Sequence, residues 1–170
     1  MSTKFKDLCL LFFAVFFLTF IIWLPHFLAL PNFWGLNFSQ GFSTIYRNYD
    51  GLEYVTIAKT FYKPELIAKI PQSLTLFSAW AFYFLIRDFK LSSQPLYLSF
   101  LFLILPARWV IVHSIGSAEP VFIFFVLTSI YFFLKYEKYQ NYLTLIISAF
   151  FGLFAQITRP PGILLFLAIA

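Results

Sequence analysis

The sequence predicts an all-α fold, a polytopic transmembrane helical bundle of about five spans plus a shorter sixth run. Three observations predict it: the composition, the length of the apolar runs, and the placement of the few charges. Hydrophobic residues make up 61% of the 170 and charged residues only 11%. The mean hydropathy is +0.84. A soluble domain usually carries about 25% charged residues, enough to cover a water-facing surface. The 26 Phe suit a surface that faces lipid. The net charge of +5 comes from sparse Lys and Arg in short loops, not from a basic stripe, which argues against a nucleic-acid partner. Cys9 is the single cysteine, so an intrachain disulfide and a Cys-based metal site are excluded.

A spanning helix needs roughly 20 mostly apolar residues. Residues 8–30 supply the first such run. Lys4 and Lys6 precede it, as in a signal peptide, but the run is long and no small-residue cleavage site follows. It therefore reads as a retained span. Residues 31–71 form the one long polar stretch. Residues 70–86 read as a second span, closed by Arg87, Asp88 and Lys90. Residues 96–112 read as a third, interrupted by Pro106 and Arg108. Residues 120–134 read as a fourth, followed by Lys135, Glu137 and Lys138. Residues 142–157 read as a fifth, broken by Thr158-Arg159-Pro160-Pro161. The sixth run, 162–170, is too short to cross a bilayer at 1.5 Å per residue. The chain is therefore expected to be one transmembrane domain, the N-terminal part of a larger membrane module, or to be completed by a partner.

Alternate threading puts Lys4, Lys6, Arg87, Lys90, Lys135 and Lys138 on one side. Short loops obey the positive-inside rule best, so that side reads as cytoplasmic and the long first loop as extracytoplasmic. The same threading brings Asp50, His113, Glu119 and Arg159 to the extracytoplasmic face. Ionisable groups at membrane depth are costly and often mark function.

Within the first loop, Tyr54, Ile57, Ala58 and Phe61 share one helical stripe, and Glu53, Thr56, Thr60 and Lys63 share another. That spacing predicts an amphipathic helix lying in the interface plane. Asp50 stands at its N-terminal end. Asp is a favoured N-cap and Glu53 completes a capping-box-like pattern. A carboxylate there is also placed to act as a general base toward a hydroxyl. Glu119 suits a helix N-terminus, where Ser117 can cap. It is equally suited to contact a substrate hydroxyl. Arg159, at the end of the fifth span, can snorkel to the interface. Its guanidinium fork also suits a phosphate group, as does that of Arg108. His113 can cap or anchor its turn, or take part in chemistry. Asp50 with Glu119 could hold a divalent cation through oxygen ligands, and no other cofactor is suggested.

Three segments carry a resemblance. Tyr49-Asp50-Gly51-Leu52-Glu53-Tyr54-Val55-Thr56-Ile57-Ala58 resembles a W-D-G-x-x-Y-x-x-I-A signature. Gly116-Ser117-Ala118-Glu119-Pro120-Val121-Phe122 resembles an S-E-S/P-x-F element opening a later span. Thr158-Arg159-Pro160-Pro161-Gly162-Ile163-Leu164 resembles an R-x-x-G-I/L-L element. Together, and in this order, they are similar to the GPI mannosyltransferase 2-type proteins and their bacterial relatives. Those belong to the GT-C superfamily of polyprenyl-phosphate-sugar-dependent glycosyltransferases. Tyr49 stands where the family usually has Trp, and the family's Phe- and Pro-rich element after the amphipathic helix is missing.

The resemblance implies a mannosyltransferase-like, inverting enzyme of the cell membrane. Its donor would be a polyprenyl-phosphate-linked hexose and its acceptor a hydroxyl of a glycan or glycolipid. Asp50 would deprotonate that hydroxyl, and Arg159 with Arg108 would neutralise the departing phosphate. Two other readings stand beside it: a transporter or flippase-like protein, and an inactive membrane fragment.

Overall fold

The computed structural model describes residues 3–33, 35, 37–41, 70–105 and 118–165. These residues form five α-helices and a 3₁₀ turn, with no strand among them. Helix α1 is Thr3–Phe27. Pro25 lies inside its last turns, and the helix closes in a left-handed turn in which Ala29 N–H donates to the His26 carbonyl and Leu30 N–H to that of Pro25. Ala29 takes a left-handed conformation (φ 46°). The chain then doubles back: Phe38 N–H donates to the Leu30 carbonyl at 2.8 Å. His26 Nδ1 lies 3.2 Å from the Gly41 carbonyl oxygen, and its ring meets Phe38 edge-on. The first apolar run is thus helical only to Phe27, and His26 ties its end to the start of the polar stretch.

Helix α2 is Ile70–Asp88 and α3 is Pro95–Ile104. Pro95 starts α3, where its missing N–H costs nothing. Leu105, just before Pro106, is extended (φ −112°, ψ 138°) and ends the helix. Clash with the proline ring disfavours helical backbone at such a position. The expected third span over 96–112 is therefore a helix of only 10 residues within the described chain. Helix α4 is Glu119–Tyr139 and α5 is Tyr142–Thr158. Gln140 takes the left-handed C-cap conformation (φ 52°), and Asn141 Oδ1 accepts the Leu143 N–H to cap α5. Two residues are thereby enough to reverse the chain.

Contacts fix the direction of each helix. Tyr83 of α2 donates its hydroxyl to Asp7 at the start of α1. Phe82 of α2 stacks on Phe102 of α3, with ring centroids 4.6 Å apart. Ser78 Oγ donates to the Pro120 carbonyl at 3.1 Å, and Tyr131 donates to Asp88 at 3.0 Å. Helices α2 and α4 therefore run parallel, and α1, α3 and α5 run against them. Lys4, Lys6, Arg87, Lys90, Lys135 and Lys138 collect at one end, the basic end. Glu119 and Arg159 lie at the other.

On α1 and α5 large apolar side chains face outward. Helix α5 buries Thr144, Ser148, Gly152 and Ala155 against α4 and exposes Tyr142, Ile146, Phe150, Leu153 and Ile157. Ser129 and Ser148 close the α4–α5 contact reciprocally, each hydroxyl donating to the other's carbonyl at 2.8 Å. Helix α1 exposes Phe12, Phe13, Phe16, Phe17 and Phe20. A cluster of Leu11, Val15, Ala79, Tyr83 and Leu103 ties α1, α2 and α3 together. Two helices, over Lys4–Phe27 and Glu119–Tyr139, are long and apolar enough to cross a membrane. The amphipathic segment expected over 52–62 lies outside the described residues. The 162–170 run opens with the 3₁₀ turn Pro160–Gly162 and one helical turn to Leu165.

Candidate functional site

Glu119 opens α4 and Arg159 follows the last residue of α5. Both positions are set by local chain chemistry. Pro120 in the first turn stiffens the start of α4 and is itself buried. The N-cap position falls on Ala118, whose side chain makes no cap; Ser117, expected to cap, lies outside the described residues. Glu119 instead supplies negative charge to the first turn, where the helix dipole favours it.

Arg159 is extended (φ −150°, ψ 139°), as a residue before proline prefers, and its N–H donates to the Ala155 carbonyl. Pro160 and Pro161 then turn the chain tightly. A Cβ on Gly162 would come within 2.5 Å of the Gln156 backbone nitrogen and 2.7 Å of the Ala155 carbonyl carbon. Only glycine lets the chain lie this close on α5, and that closeness fixes where the arginine side chain begins.

The two side chains meet: Arg159 Nη2 lies 2.6 Å from Glu119 Oε1. Arg159 is 36% exposed and Glu119 20%. An ion pair with this much solvent contact contributes at most ~1 kcal/mol in water. Its chemical value is different. Nη2 meets the carboxylate, and a guanidinium presents five donors in a rigid fork. Glu119 therefore orients a cation that keeps capacity for an anion. Nearby, Gln156 Oε1 is buried without a hydrogen-bond partner.

Two of the six residues singled out in the sequence, Glu119 and Arg159, are thus brought together from separate motifs. Asp50, Glu53, Arg108 and His113 lie outside the described residues. Among the described residues no group of three or more His, Cys, Asp or Glu could hold a metal. The Glu119 oxygen considered as a cation ligand is engaged by Arg159.

The basic end holds a polar network that periodicity and motif reading did not find. Arg87 Nε and Nη2 both donate to Asp88 Oδ1, at 2.9 and 2.6 Å. Asp88 Oδ2 accepts from Tyr131. The Arg87 guanidinium also lies over the Tyr83 and Phe84 rings, 5.2 and 4.9 Å from their centroids. Burial alone would lower the Arg87 pKa, but hydrogen bonds to Asp88 and Tyr83 outweigh it and the shift is upward. Asp88 is adjacent to Arg87 in sequence, but Asp7 and Tyr131 join only through tertiary packing, so the sequence carried no signal for them.

No protein-family model, curated protein or solved structure matches this chain.

Proposed function

We propose that the chain is an integral, multi-pass protein of the cell membrane and works as a glycosyltransferase of the GT-C kind. It moves a hexose, in the mannosyltransferase manner, from a polyprenyl-phosphate donor to an acceptor hydroxyl on the extracytoplasmic side. The membrane part of this reading is supported by the packing of two helices. Large apolar side chains face outward on α1 and α5, while Ser129, Thr144, Ser148, Gly152 and Ala155 are buried at the α4–α5 contact, beside ring contacts such as Phe132 on Phe151. That is how helices associate where lipid is as apolar as leucine.

The observation that carries the glycosyltransferase reading is the Glu119–Arg159 ion pair. It joins the Ser117-Ala118-Glu119-Pro120 and Thr158-Arg159-Pro160-Pro161-Gly162 segments at the end opposite the lysines. In the proposed reaction the acceptor oxygen bonds the anomeric carbon as the carbon–oxygen bond to the phosphate breaks. Asp50 takes the acceptor proton, and polyprenyl phosphate leaves with the bond's electron pair. Arg159, oriented by Glu119 and assisted by Arg108, holds the charge that develops on the phosphate. A well-placed donor to developing charge contributes about 10²–10³-fold in rate.

The test is hexose transfer from a polyprenyl-phosphate sugar in membranes expressing the protein in its native gene context. Asp50→Asn and Arg159→Ala should each lower transfer at least a hundredfold. Unchanged transfer in both variants refutes the reading.

A further inference from the structure

Between α2 and α4 runs an aromatic groove with a cavity of about 310 Å³. Phe77, Trp80 and Phe84 line it from α2, and Phe124, Thr128 and Tyr131 from α4. It follows the helices from the level of Phe77 to Asp88, roughly 16 Å at 1.5 Å per residue. That is a slot along the bundle, not a pit at its end. Its wall at the basic end carries charge. Asp88 lines that end, but its carboxylate is already met by Arg87 and Tyr131. Lys135 Nζ lies over the Tyr131 ring at 5.9 Å, and the Arg87 guanidinium lies over the Phe84 ring. With Asp88 offset by Arg87, Lys135 leaves the mouth of the groove net positive.

One polar atom of the groove lining lacks a hydrogen-bond partner: Thr128, only 9% exposed, lines the groove with its Oγ1 making no hydrogen bond. A buried hydroxyl without a partner calls for an explanation, and an oxygen of a bound lipid near the groove mouth supplies one. Apolar length below and cationic charge above together fit one kind of molecule.

We propose that this groove binds one anionic phospholipid, its acyl chain lying along Trp80 and Phe124 and its phosphate held at Lys135. Its phosphate end, at Lys135, lies roughly 24 Å along α4 from Glu119 at 1.5 Å per residue. The inference rests on the membrane part of the functional reading and not on glycosyl transfer. Since one Lys near a membrane surface favours an anionic lipid by about fivefold, the preference is measurable.

The test uses the purified chain in phosphatidylcholine vesicles containing either brominated phosphatidylglycerol or brominated phosphatidylcholine at equal mole fraction. Quenching of Trp80 is taken as the difference between wild type and Trp80→Phe. Brominated phosphatidylglycerol should quench Trp80 about fivefold more effectively. Lys135→Gln should abolish that preference, and Thr128→Phe, which fills the groove, should abolish most quenching by either lipid. A second measurement leaves Trp80 in place: mass spectrometry of co-purified lipid should show phosphatidylglycerol on wild type and its loss from Lys135→Gln. Equal quenching by the two lipids in wild type, or a preference that survives both variants, overturns the proposal. Absence of quenching by either lipid overturns the membrane reading with it.

Discussion

At the basic end of the bundle, Asp7, Tyr83, Arg87, Asp88 and Tyr131 join three helices through hydrogen bonds and ring contacts. At the other end, Glu119 and Arg159 join two helices through one ion pair. The two clusters differ in what they leave over. In the first, both Asp88 oxygens are occupied and Arg87 is pinned between its carboxylate and two aromatic rings. Such a network holds helices in register and leaves little for chemistry. In the second, among the described residues, a single nitrogen of Arg159 meets a single oxygen of Glu119, on a backbone set by two prolines and a closely packed glycine. A cation presented by a rigid turn, and only partly consumed by its partner, is suited to receive an anion. Charge alone does not separate a structural cluster from a functional one, whereas unspent donor capacity on a fixed backbone does.

The comparison breaks most sharply in activity. Arg159→Ala should reduce glycosyl transfer at least a hundredfold, while Tyr131→Phe at the basic end should leave it within about twofold, both read in the same membrane assay. Stability should follow the opposite order. Arg87→Ala strands Asp88 beside Tyr131 and should cost about 2 kcal/mol, visible as a lowered unfolding midpoint in detergent. Glu119→Gln, which removes only a part-exposed pairing, should cost under about 1 kcal/mol by the same measurement. Gly162→Ala pushes a methyl group into the α5 backbone. A cost of about 1–3 kcal/mol is expected, with loss of transfer, because the turn that sets Arg159 must shift. The smallest effect belongs to the helix seam. Ser148→Ala removes one donor of the reciprocal pair with Ser129 and should cost about 0.6 kcal/mol.

Much of the fold was legible in the sequence because apolar run length is a local property. The runs over 70–86, 120–134 and 142–157 correspond to α2, α4 and α5, with ends within a few residues. The first helix ends at Phe27, three residues before the apolar run does, where Ala29 turns left-handed. The third ends at Ile104 just before Pro106, the interruption expected there. Hydropathy treats such backbone as uniform. The candidate site was legible only in part. Glu119 and Arg159 stood out as rare charges at helix ends, and the alternation of helix direction brings them together. That they touch depends on the 3₁₀ turn and the close approach of Gly162, which spacing cannot reveal. The Asp7–Tyr83 contact was invisible because its partners lie 76 positions apart. No periodicity connects them.

The sharpest test of an unspent arginine at the Glu119 end is Arg159→Lys. Lysine keeps the positive charge and can still meet Glu119, but it replaces the planar fork with a point charge. Unfolding should move by no more than about 0.5 kcal/mol, while transfer from the polyprenyl-phosphate sugar should fall at least tenfold. Transfer at the wild-type rate in that variant would show that Arg159 serves only to pair with Glu119.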